Sequence, residues 1–163
     1  MRMMKIAAAV AFLASAPGVA AQRISSEEFV TMAASSDMFE IQSSQLAVAN
    51  SKQDSSRQFA EMMIADHTKA SQELKTAAGE ASVTLPAQMD ERHAAELEKL
   101  KNAQGEQFNA AYVQAQLAAH QEALKLLQSY GQGGDSKPLK AHAAKTAPVV
   151  QEHLEHAQKL SGD

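Results

Sequence analysis

Four polar side chains interrupt the apolar stripes of this sequence: Glu40, His67, His120 and His153. Burying such groups is costly unless they are paired or bound to something. One carboxylate and three imidazoles form a ligand set for a divalent first-row transition metal such as zinc, iron or copper. Met63 lies one helical turn before His67, and its thioether is an additional donor that favours copper. The competing account is structural: a histidine on an apolar face is commonly satisfied by a carbonyl, a carboxylate or water. His93 and His142 also fall on inner stripes without a site being suggested for them. His142 precedes His153 by eleven residues, about 16 Å along a helix, so those two do not share an ion.

Weaker signals surround these four. His153 and His156, with Glu152 and Glu155, form a second cluster at the spacing of a surface chelate, although His156 falls on the flank of its helix. Asp66 beside His67 has the chemistry to orient an imidazole from behind, and also that of a boundary acid. A Gly-rich phosphate loop, a nucleophile elbow and a His-Glu-x-x-His motif are all missing from the sequence. None of the serines has a visible base partner, so a hydrolytic triad is unsupported. The remaining catalytic reading is a metal with an open position that activates water or oxygen, and a non-catalytic protein is favoured over it because no general base is evident beyond Asp66 and Glu40.

These residues sit on long amphipathic segments. Ser25 and Glu28 make a capping box that opens the first helix, with Phe29, Ala33, Ser36, Glu40, Ser43 and Ala47 along one face. The helix fades between Asn50 and Asp54. A second runs from about Ser55 to Ala81 with Phe59, Met63, His67, Ala70 and Leu74 inward. Pro86 disfavours helix at Leu85. A charged segment from Ala87 to Ala103 carries Met89, His93, Leu97 and Leu100 on one side, and Gly105 interrupts it. From Glu106 to Tyr130 the expected inner stripe is Val113, Leu117, His120, Leu124 and Leu127, flanked by Phe108, Tyr112 and Ala115. Gly131, Gly133 and Gly134 stop that helix. The last begins after Ser136 with Pro138 in its first turn. Its inner line is Leu139, His142, Thr146, Val149, His153, Ala157 and Leu160, and Pro148 should kink it.

No window alternates as a strand does. The expected fold is an all-α, antiparallel four-helix bundle with an extra short helix before the third bundle helix. In that arrangement, mid-helix positions on different helices meet at one level, which is what brings the acid and the three imidazoles within reach of each other.

The two ends and the composition set the setting. Arg2 and Lys5, the short apolar run from Ile6 to Ala16, and Val19-Ala20-Ala21 have the layout of a secretory signal peptide covering residues 1–21. The apolar run is shorter than the ~20 residues a membrane span requires. The mature domain is expected over residues 22–163, exported to the periplasm or cell envelope, with no integral membrane span. Removing Arg2 and Lys5 from the 15 basic side chains leaves 13 against 19 acidic, a formal charge of −6. Such a balance argues against non-specific nucleic-acid binding. There are no cysteines, which excludes disulfides, zinc thiolates and iron–sulfur clusters.

The order Phe29-Val30-x-x-Ala33-Ala34, Phe39-Glu40-Ile41, Leu46-Ala47, Phe59-Ala60-x-x-Met63, Asp66-His67, Phe108-Asn109-x-x-Tyr112, His120 and His153-Leu154 resembles one family. It is the bacterial exported family catalogued as domain of unknown function 4142, often labelled predicted outer membrane protein. The resemblance spans about Glu27 to Leu160 and implies a ferritin-like bundle, without an activity. Ferritin-like di-iron proteins carry a Glu-x-x-His motif on two helices. Here Ile64 and Val150 stand three residues before His67 and His153, so both of those glutamates are missing. A single-metal site on Glu40, His67, His120 and His153, with Met63 as an extra donor, is what these residues leave. The alternative is a non-catalytic interaction module of the envelope with structural histidines, whose partner-binding face is the charged Met89–Lys101 segment.

Overall fold

The computed structural model describes residues 23–161. The expected signal peptide and its cleavage site lie outside the described residues. Five helices follow in order: α1 (Ser26–Asn50), α2 (Asp54–Glu80), α3 (Glu91–Asn102), α4 (Gly105–Gly133) and α5 (Lys137–Leu160). No strand occurs among the described residues. No described helix is long and apolar enough to cross a membrane.

Several helix ends are set by local chemistry. The capping box on α1 forms as expected: Ser25 accepts from the Glu28 amide while the Glu28 carboxylate accepts from the Ser25 amide. At the far end of α2, Ser82 adopts φ 57°. The Val83 amide then donates to the Ala78 carbonyl and the Ser82 amide to that of Gly79, the double bond of a Schellman cap. Helix α3 starts later than expected, because Asp90 rather than Ala87 begins it. The Asp90 side chain accepts from the His93 amide, which satisfies an otherwise orphaned donor. Gly105 takes φ 59° at the break between α3 and α4, where the absence of a Cβ makes that conformation cheap.

Four helices form the bundle. Helix α1 packs on α2 and α4, and α5 packs on the same two. Apolar residues divide into two clusters at opposite ends. One contains Phe29, Val30, Leu74, Leu127, Tyr130 and Leu139, the other Phe39, Phe59, Met63, Phe108, Tyr112 and Leu160. Helices α1 and α5 leave the first cluster for the second as the chain proceeds, whereas α2 and α4 run the other way, so every packed neighbour is antiparallel. The stretch from Ala81 to Gln104, including α3, returns the chain from the end of α2 to the start of α4. A single long crossover of this kind is a ferritin-like connection.

Helix α3 lies against α1 and α4. It buries His93, Leu97 and Leu100 there, so its apolar side is already committed. The ring of His93 is tied by Nδ1 to Asp90 at 2.7 Å and to Ser35 of α1 at 3.0 Å.

Two stripes differ from the sequence expectation. In α4 the most deeply buried residues are Phe108, Tyr112, Gln116, His120 and Tyr130; Val113 and Leu127 of the expected stripe are also buried, while Leu117 and Leu124 are only half-buried. The aromatic residues read as flanking hold the centre, because two stacked rings fill more of the core than leucines on the neighbouring face (Phe108 and Tyr112 stand 6.3 Å apart, 5° from parallel). In α5, Val149 is 40% exposed and Val150 is buried instead. The helix continues through Pro148 without a break, and its inner line runs Thr146, Val150, His153, Ala157, Leu160.

Candidate metal centre

Between the two apolar clusters lies a polar layer, with a contribution from each bundle helix. On α1, Asp37 lies between Ala34 of one cluster and Phe39 of the other, with Glu40 next to Phe39. On α2, His67 separates Met63 from Leu74, on α4 His120 separates Ala119 from Leu126, and on α5 His153 separates Val150 from Ala157. The antiparallel order sets these mid-helix positions at one height.

Three of the four expected ligands converge. The ring centroids of His67, His120 and His153 form a nearly equilateral triangle of 5.7, 5.6 and 5.6 Å. One nitrogen from each lies within 4.8 Å of the others. Their residues are 4%, 1% and 4% exposed.

Each ring is held from behind. His67 Nδ1 donates to Asp37 Oδ1 at 2.8 Å, His120 Nδ1 to the Gln116 carbonyl at 2.8 Å, and His153 Nε2 to Asp66 Oδ2 at 3.0 Å. Carboxylates and carbonyls only accept, so the proton sits on the named ring nitrogen in each case. The opposite nitrogens, His67 Nε2, His120 Nε2 and His153 Nδ1, are buried and have no hydrogen-bond partner. A ligating histidine is ordinarily oriented in this way, with its second N–H anchored on a carboxylate or carbonyl.

Three orphaned imidazole nitrogens fit a metal ion. Imidazole nitrogens bind zinc at about 2.0–2.1 Å, which puts tetrahedral neighbours about 3.4 Å apart. The three rings already bring one nitrogen each to within 4.8 Å of the others.

Glu40 occupies a different place. Its Oε1 stands 3.5 Å from His120 Nδ1, the nitrogen already bonded to the Gln116 carbonyl, and Glu40 is not among the residues whose donor atoms gather within 4.8 Å. Both carboxylate oxygens are buried without a partner. Burial pushes its carboxyl up to about 7, against the pull of the nearby His67. Met63, also fully buried, belongs to the apolar cluster on one side of the layer. Asp66 takes the orienting role, on His153 rather than on its neighbour His67. His156 packs edge-on against Phe59 with centroids 5.0 Å apart.

Asp37 and Gln116 escaped the sequence reading. Asp37 lies one turn before Glu40, so its position was readable. That it would face His67 depended on how α1 and α2 are rotated against each other. Each histidine of the triangle thus abuts one carboxylate: Asp37 behind His67, Asp66 behind His153, Glu40 beside His120.

These groups set the charges. Burial holds His120 down to about 3, helped by the neighbouring His67. Burial also lowers His153, only partly offset by Asp66. For His67 burial is again the largest influence, but the bond and charge of Asp37, with Glu40 and Asp66, outweigh it and hold the ring above the usual histidine value. Two of the three rings are therefore neutral lone-pair donors at neutral pH. The third binds a cation only in its neutral form, as coordination at histidine requires.

The fold has solved counterparts. It matches CopM in the Cu(II)-bound form with a TM-score of 0.73 at 14% identity, over 86% of this chain and 98% of that one. It matches a DUF305 fragment from Deinococcus radiodurans with a TM-score of 0.71 at 14% identity, over 86% of this chain and 99% of that one. At such identity the likeness is one of fold: all-α helical bundles. No curated protein matches the chain. Residues 11–160 match the family described as "Domain of unknown function (DUF4142)", and the chain belongs to that family.

Proposed function

We propose that this protein binds one divalent transition metal ion in its bundle core through His67 Nε2, His120 Nε2 and His153 Nδ1, in the periplasm or cell envelope. The observation that carries the reading is the set of three buried imidazole nitrogens without partners, each on a ring anchored through its other nitrogen. An apolar core has no use for three such orphans, since each unsatisfied polar group costs about 1–3 kcal/mol.

The surrounding charge favours a doubly charged ion. Three carboxylates adjoin three neutral or neutralisable rings, and a 2+ ion balances that layer better than a 1+ ion. Imidazole suits copper, zinc and iron alike, and copper(II) ranks highest in intrinsic affinity. The likeness to a protein solved in a Cu(II)-bound form supports testing copper first. The fourth position is left to Glu40, after a change of rotamer, or to water. The role this supports is a metal-related one, connected with stress.

Thermal melting tests the binding. Copper(II) or zinc should raise the melting temperature, and a chelator should reverse the rise. At a free concentration 100-fold above Kd, the stabilisation is about 2.7 kcal/mol. His120→Ala should abolish the shift. Equal melting temperatures with metal and with chelator would remove the basis for this function. Export is tested separately, by mass spectrometry of the periplasmic fraction for a chain beginning near Gln22.

A further inference from the structure

The three histidines are nearly inaccessible, and an ion must reach them between packed helices. A chamber of about 30 Å³ lies against one of them. It is lined by Ser36 and Asp37 of α1, His67 of α2, Ala123 of α4, and His142 and Thr146 of α5, among other residues. His67 is thus shared between this chamber and the triangle. The volume accommodates one water-sized occupant.

Two of its walls carry donors that the rest of the protein does not use. His142 is 7% exposed, and its Nδ1 is buried with no hydrogen-bond partner. Asp37 engages His67 through Oδ1, which leaves Oδ2 for another partner. The hydroxyls of Ser36 and Thr146 add neutral oxygens. The carboxylates of Asp37 and Glu73 both act on His142, with Lys145 the opposing cation. His142 and His153 are too far apart along α5 to ligate the same ion, so His142 cannot belong to the triangle.

We propose that this chamber is a second, transient cation position, in which Asp37 Oδ2 and His142 Nδ1 hold a divalent ion on its way to His67, His120 and His153. The proposal rests on the metal reading above. A cation entering an apolar core must exchange its water ligands for protein donors at each stage. Asp37 suits the exchange because its other oxygen already holds the receiving ring. The chamber accounts for the unpaired His142 nitrogen as the triangle accounts for its own three.

Cobalt(II) is a suitable probe, since its visible absorption strengthens on four-coordinate binding to imidazoles. In stopped-flow mixing with the full mature chain, His142→Gln should slow the appearance of that absorption at least 10-fold, with the final amplitude and Kd unchanged. Ala123→Leu, which fills the chamber without touching a donor, should slow it similarly. Circular dichroism checks that both variants fold. Unchanged rates in both would overturn the docking role while leaving the triangle intact. Loss of equilibrium binding in folded His142→Gln would overturn it too, by making His142 part of the final site. No cobalt absorption in the unsubstituted protein would overturn the metal reading and this proposal together.

Discussion

His67 donates from Nδ1 to Asp37 Oδ1 at 2.8 Å and so presents a buried Nε2 with no partner of its own. Asp37 fixes the tautomer, the ring plane and the basicity of that nitrogen without lying on the metal side of the ring. Asp37→Ala should therefore lower copper or zinc affinity by about 10–100-fold, the usual effect of removing an orienting partner. Competition titration against a chromophoric chelator measures it. An affinity equal to that of the parent protein would show that the Asp37 bond does no orienting.

Glu40 and His120 are expected to separate under substitution. His120→Ala removes a ligand and should abolish binding. Glu40→Gln keeps the shape and should leave one ion per chain, at weaker affinity, because a negative charge beside the site is lost. Calorimetric stoichiometry distinguishes the two variants. Complete loss of binding in Glu40→Gln would place that carboxylate on the metal.

Asp90 gives the fold a specific acid limb. Burial tends to raise its carboxyl, but bonds from the His93 amide, the Ser35 hydroxyl and the His93 ring together hold it down to about 2, from an ordinary 3.8. A carboxyl depressed in the folded state contributes stability above its unfolded value. That contribution is full above pH 4 and is lost as pH falls through about 2. Asp90→Ala should flatten the loss across that window and cost about 1 kcal/mol at neutral pH through the missing cap. Urea unfolding between pH 2 and 5 compares the two proteins. Parallel curves would mean that the cap carries no linked proton.

Ser82 closes α2 in the left-handed region at φ 57°. An L side chain is strained there by about 1–2 kcal/mol, and glycine is not. Allowing for the greater freedom of glycine in the unfolded chain, Ser82→Gly should stabilise by about 0.5–1 kcal/mol. The melting temperature should rise by a few degrees for a domain of this size. A fall would show that the Ser82 side chain supports the turn in some other way.

Much of this protein is determined locally. The capping box at Ser25, the stop at Asn50, and the spacing of Phe29, Phe59, Met63 and Leu74 act within a few turns of one helix, whereas α4 runs past the expected stop at Gly131 and is capped only at Gly134. The helices and most of their buried faces follow from them. That His67, His120 and His153 lie inward was equally legible, because a stripe's period does not depend on what the stripe packs against.

Other features belong to the tertiary structure. Whether Phe108 and Tyr112 or Leu117 and Leu124 face the core depends on the rotation of α4 against its neighbours, and a 3.6-residue period leaves adjoining faces nearly equivalent. That rotation also sets His120 Nδ1 beside Glu40, and the rotation of α1 against α2 sets Asp37, unremarked in the sequence, behind His67. Ligand geometry is a relation between side chains more than 30 residues apart. A helix fixes which of its own residues share a face, but only the packing of four helices fixes which nitrogen meets which.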